Sequence, residues 1–176
     1  MAKRVAKRPE WLDAPQIVDL YSVSGCNSEN FADYIPYWEH NGFWLFDSPA
    51  LIEKLARASG NCLDDTSLFY YEVYEQEFDG KNWAAFAPSA ELATAVVLPT
   101  VKRFVGVDVV TFGARQNPEC SPLSCNSLAR ELPTNEHCLF SSFEEARTNF
   151  DNGGFEKTEL GPYRIFMVYK VDWQRS

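Results

Sequence analysis

Val18-Asp19-Leu20-Tyr21-Ser22-Val23 is an apolar run with a carboxylate in second place, and Val107-Asp108-Val109-Val110-Thr111-Phe112 restates it in the second half of the chain. The echo continues outward. Cys26-Asn27-Ser28 returns letter for letter as Cys125-Asn126-Ser127, and Asn41 with Leu45-Phe46 returns as Asn135 with Leu139-Phe140. Ser48 and Gly60 return, at an unchanged interval, as Ser142 and Gly154. The other intervals drift, so the loops differ between the halves. A duplicated unit builds two similar lobes about a pseudo-twofold axis. It also singles out Cys-Asn-Ser as a candidate special site.

Period and punctuation give both halves one order of elements. In the first, 17–23 reads as a strand ending at Ser24-Gly25. Ser28 opens a short helix whose Phe31, Tyr34, Ile35 and Trp38 share a face, with Pro36 limiting it. A strand at 43–46 follows the Asn41-Gly42 turn. Ser48 then caps a helix with Pro49 in its first turn and Gly60 past its end, and Leu51, Ile52, Leu55 and Ala58 form its apolar face. Residues 68–78 are rich in aromatic and β-favouring residues and read as a strand, with Phe69, Tyr71 and Val73 on one face. In the second half, 107–112 is a strand, 115–124 a longer loop, 127–132 a short helix stopped by Pro133, and 137–140 a strand. Ser142 with Glu145 is a capping box, Gly153-Gly154 ends that helix, and 163–173 alternates as a strand with its odd positions covered. Between the halves, 83–86 reads as a strand and Ser89 caps a helix to about 96, ended by Pro99.

The expected fold is therefore α/β (α+β), internally duplicated. Each half, 16–79 and 107–176, runs strand, short helix, strand, helix, strand, and 80–106 connects them. The two main helices cover one side of a mixed or antiparallel sheet. Residues 1–15 are expected as a flexible basic arm, and a groove at the pseudo-twofold axis could take a small ligand.

Composition bounds the function. The chain has 176 residues, 45 % of them hydrophobic, which is enough to bury a core at this length. Its net charge of −9 repels phosphate backbones, so nucleic acid is not an expected partner. Lys3, Arg4, Lys7 and Arg8 are the exception, a basic cluster too short to hold well at physiological salt. The 15 % of aromatics either build the core or present rings to a partner. No run reaches the ~18 apolar residues of a membrane helix, so no membrane partner is expected. Pro9-Glu10-Trp11-Leu12-Asp13 stands where a secretory signal would be apolar, and the five cysteines are an odd number. Reduced thiols in the cytoplasm are the expectation.

Cys26 and Cys125 each follow an expected strand and precede an expected short helix. A thiol at a helix N-terminus faces open N–H groups and the positive dipole end, which favours the reactive thiolate. Alternatively, Asn27-Ser28 and Asn126-Ser127 merely cap, and the cysteines fill tight turns. A thiol nucleophile needs a base, and His137 suits Cys125 better than His40 does. Cys120, Cys125, His137 and Cys138 have zinc-compatible chemistry at unsuitable spacing, so no metal site is expected. Asp19 and Asp108 occupy matching strand positions and could line a cleft. Arg115 and Arg130 flank the second Cys-Asn-Ser and could attract an anion. There is no P-loop, GxGxxG, HExxH or GxSxG, and no cofactor is expected. The leading expectation is an acidic intracellular binding protein, inhibitor- or immunity-like, with a protein partner of basic character. The alternative is a thiol-dependent enzyme or redox sensor using Cys125, with Cys26 as a second candidate.

Overall fold

The structure, a computed structural model, describes residues 2–4, 6–24, 45–60, 62–87, 96–112 and 120–173. The chain runs β1 (Ala2–Arg4), β2 (Ala6–Lys7), β3 (Asp19–Leu20), α1 (Pro49–Ser59), β4 (Thr66–Phe78), β5 (Trp83–Ala85), β6 (Lys102–Thr111), α2 (Pro122–Cys125), a 3-10 turn Leu128–Arg130, α3 (Phe143–Asp151) and β7 (Tyr163–Val171). The fold is α+β, built on an antiparallel sheet of order β1-β4-β7-β6. The 13-residue β4 is long enough to take β1 at its beginning and β5 at its end, both on the edge away from β7. β2 and β3 form a separate two-stranded sheet.

Both faces of the large sheet are covered. On one, Val107, Val109, Tyr163 and Ile165 pack against Phe143, Ala146 and Phe150 of α3, against Leu123 and Leu128, and against Leu12, Ile17 and Leu20 of the N-terminal segment. On the other, Phe69, Tyr71, Val110, Phe166 and Val168 meet Tyr21, Val23 and Leu139. Phe69, Phe112, Phe140 and Phe166 are each under 2 % exposed. Burying such a ring contributes about 1.5–3 kcal/mol.

The caps explain the two main helices. Ser48 accepts from the Leu51 N–H, Pro49 opens α1, and Gly60 ends it in the left-handed region at φ 70°. Ser142 accepts from the Glu145 N–H, and the Glu145 carboxylate reaches back to the N–H of Ser141. Strand β4 also forms as read, with Phe69 and Tyr71 buried on one face.

Several expectations are corrected. The N-terminal arm supplies β1 and β2. The strand expected at 17–23 shrinks to β3, because its backbone bonds go to the loop at Glu136 and His137. Within the loop expected at 115–124, Pro122–Cys125 is helical, and the helix at 127–132 is a single 3-10 turn. The strand at 137–140 is one bridge, Val107 to Phe140, since Cys138 turns left-handed at φ 61°. In α1, Ala56 is buried, whereas Ala58 is exposed. In β7, Phe166 and Val168 are as buried as Tyr163 and Ile165, because a layer covers each face. The described residues do not display the duplication: Asp19–Leu20 lies outside the sheet that contains β6. The helix after Ser28, the start of the strand at 43–46 and most of the helix after Ser89 fall outside the described residues. Among the described residues, no helix is long and apolar enough to cross a membrane.

Candidate functional site

Asp108 and Asp19 read alike in the sequence but meet different surroundings. Asp108 is fully buried on β6. Its Oδ2 accepts from Ser22 Oγ at 2.6 Å and from the Val23 N–H at 2.8 Å, and its Oδ1 accepts from Ser121 Oγ at 2.8 Å. Ser22 Oγ in turn accepts from the Ser24 N–H, and the Tyr71 hydroxyl donates to the Tyr21 and Ser22 carbonyls. This carboxylate bolts the N-terminal segment and the start of α2 to the sheet. It does not line a cleft. Burial, and then the Asp108 charge, holds the Tyr71 phenol well above its ordinary range, so it stays a donor.

The same two causes push the Cys138 thiol up to about 12. A group that holds its proton more tightly when folded stabilises below its unfolded pKa and loses that contribution as pH rises. Stability is therefore expected to fall as pH climbs from about 8.5 towards the folded value of about 12. In the folded protein, iodoacetamide should modify exposed Cys62 and spare Cys138, as mass spectrometry of each cysteine would report. Equal rates at the two thiols would contradict the burial of Cys138.

Asp19 meets His137. Nδ1 lies 2.5 Å from Asp19 Oδ1, the imidazole stacks on Tyr21 at 3.9 Å, and Nε2 lies 3.7 Å from Glu136. Asn135 Oδ1 accepts from the N–H groups of His137 and Leu139, which fixes the loop beneath the ring. Burial, and then the Asp19 charge, raises the Tyr21 pKa. Two residues nominated for separate roles thus form one carboxylate–imidazole pair, each side chain about one-fifth exposed.

The expected Cys125–His137 partnership is not formed, since the His137 side chain contacts Asp19, Tyr21 and Glu136. Cys125 is the last residue of α2 and stands two residues before Ser127, which precedes the 3-10 turn. Ser121-Pro122 opens α2. Asn126 is its C-cap, with its N–H donating to the Pro122 carbonyl. Ser127 precedes the 3-10 turn in a left-handed conformation, φ 60°, without a side-chain cap bond. Cys26, Asn27, Ser28, His40 and Arg115 lie outside the described residues. Arg130 is 3.7 Å from Asp13 at the surface. Among the described residues, no three His, Cys, Asp or Glu side chains are placed to share a metal ion.

A hollow of about 560 Å³ was not singled out by the sequence. The first turn of α1, the start of β4, the segment 96–101 and the end of β7 enclose it. Its wall exposes Val97, Leu98 and Val101 at 60, 67 and 65 %. Asp47 and Asp172 are the charged residues among those lining it, and both are acidic. The Val97 N–H donates to the Asp47 carbonyl, and the Trp173 indole donates to Glu53 at 3.1 Å, so both walls are tied to α1 or its approach. The available signal was Val96-Val97-Leu98-Pro99-Thr100-Val101, an apolar run that reads as the close of a helix. No family model matches the chain, and no match is found among curated proteins or solved structures.

Proposed function

We propose that this chain is a small acidic, non-catalytic binding protein, inhibitor- or immunity-like, that captures a basic and apolar segment of a partner protein in the hollow beside α1. The observation that carries this is the chemistry of the hollow. Exposed Val97, Leu98 and Val101 stand beside the Asp47 and Asp172 carboxylates, on a chain of net charge −9. Contiguous exposed apolar surface rimmed by polar groups marks interaction sites, and hollows of this size accept ligands. The acidic field speeds encounter with a basic partner and makes it salt-sensitive. The cytoplasm is the proposed setting, from the odd cysteine count. Internal duplication belongs to the same proposal. It is supported by two Ser-capped helices, α1 and α3, that each lead into one of the paired strands β4 and β7.

The test uses a short amphipathic peptide of lysine and leucine, with a glutamate–leucine peptide as its charge-reversed control. The basic peptide should bind, more weakly as salt rises, and the acidic one should not. Replacing Val97 and Leu98 together by serine removes apolar contact without changing charge. It should weaken binding about 30-fold, or about 2 kcal/mol. Leu160→Ser, at a residue 95 % exposed and outside the hollow's lining, should leave binding unchanged. If the parent ignores the basic peptide, or the two sets of substitutions behave alike, the proposal is wrong.

A further inference from the structure

Tyr70 lines the hollow and also belongs to a second arrangement beside it. Tyr70, Tyr169 and Phe104 stand in one row across β4, β7 and β6, set by the strand register. Lys102 lies two residues before Phe104, on the same face. Its side chain turns back over the row. Nζ sits 4.0 Å from the Tyr169 ring centre, 4.7 Å from that of Tyr70 and 2.8 Å from Glu72 Oε2. Phe104 meets Tyr169 edge-on at 5.6 Å. The Lys102 and Glu72 side chains are 32 and 40 % exposed, so the arrangement opens to solvent.

Two π faces and a carboxylate converging on an ammonium are the groups that recognise alkylammonium ligands. Burial, and then Glu72, raises the pKa of both tyrosines, so the rings stay neutral and Glu72 supplies the charge. Each contact to Lys102 is of a kind that is weak when exposed, so the occupant can exchange. Lys102 also directly follows 96–101, the segment that walls the hollow. A cation arriving on a partner segment would therefore meet this row at Tyr70.

We propose that Tyr70, Tyr169 and Glu72 form a receptor for one alkylammonium group, with Lys102 as resident occupant and a lysine of the basic partner segment as the group that displaces it. The proposal rests on the binding role given to the neighbouring hollow. Its test is a titration of n-butylammonium chloride into Lys102→Ala, followed by NMR of the tyrosine rings. The Tyr70 and Tyr169 resonances should shift saturably, with an affinity about tenfold above that of the parent, where Lys102 competes. Adding Glu72→Gln should remove most of that gain, and n-butanol should not reproduce the shifts. Lys102→Gln repeats the measurement with a longer side chain, should alanine loosen the strand end. Equal responses in parent and variants, or equal shifts with butanol, would overturn the receptor. If the lysine–leucine peptide binds but butylammonium does not, the receptor alone falls. If butylammonium binds Lys102→Ala and the peptide fails on the parent, the receptor's chemistry stands and the role of the hollow falls.

Discussion

Replacing Asp108 by alanine is expected to lower the unfolding free energy by about 3–5 kcal/mol, close to the limit of what a chain this size tolerates. Ser22 Oγ, the Val23 N–H and Ser121 Oγ are among the donors that converge on the carboxylate. Each would be left buried without this acceptor, at about 1–3 kcal/mol apiece. The two hydroxyls can rotate towards other acceptors. The Val23 N–H is held by the backbone and cannot, so it sets the minimum cost. Asp108→Asn keeps the shape but turns an NH₂ towards donors, and should recover only part of the loss. Ser121→Ala removes a single donor and should cost about 1 kcal/mol. Asp19→Ala breaks a pair that is about one-fifth exposed, so its cost should be well under that of Asp108→Ala. Urea denaturation of the four variants gives this order. An Asp108→Ala protein within 1 kcal/mol of the parent (about the net worth of one ordinary hydrogen bond) would remove Asp108 from its structural role.

Asp19 and Asp108 also show how far the sequence could be read. Both were legible as carboxylates within apolar runs, and both are anchored to other parts of the fold. Their burial was not legible, because it depends on which strand reaches the sheet. β6 pairs with β7 from Lys102 to Thr111, whereas among the described residues β3 pairs with β2 alone. Local signals did well where local physics decides. Ser48-Pro49 with Gly60, and Ser142 with Glu145, fixed α1 and α3 through their caps. The composition of 68–78 fixed β4. The reading of Cys125-Asn126-Ser127 missed the opening just ahead of it. The overlooked signal was Ser121-Pro122, the same opening that starts α1, which places Cys125 at the end of a turn. The hollow is assembled from four segments distant in sequence, and no periodicity within any one of them announces it.

Gly106→Ala is expected to cost about 3–5 kcal/mol, from two sources that a companion variant separates. Gly106 follows the register shift in β6 and has φ 149°, a region that residues with a Cβ rarely adopt. A methyl group there would stand 2.7 Å from Leu139 Cβ, 2.8 Å from the Phe140 carbonyl oxygen and 3.0 Å from Asn135 Nδ2. None of these can retreat cheaply. Phe140 exchanges both backbone bonds with Val107, and Asn135 Nδ2 donates to the Val105 carbonyl at 2.8 Å. The loop must therefore move away from β6 as a body, taking with it the Asn135 oxygen that holds the His137 and Leu139 N–H groups. Gly80→Ala is the companion: φ is 104°, and an added Cβ would meet nothing within 4 Å. It carries the backbone strain alone, about 1–2 kcal/mol. The difference between the two variants measures the closeness of the loop to the strand. Hydrogen exchange gives a second readout, because the amides of His137 and Leu139 should lose protection in Gly106→Ala and keep it in Gly80→Ala. If both variants unfold at the same denaturant concentration and protect those amides equally, Gly106 is needed only for its backbone freedom, and the seating of the Asp19–His137 loop does not depend on the absence of a side chain.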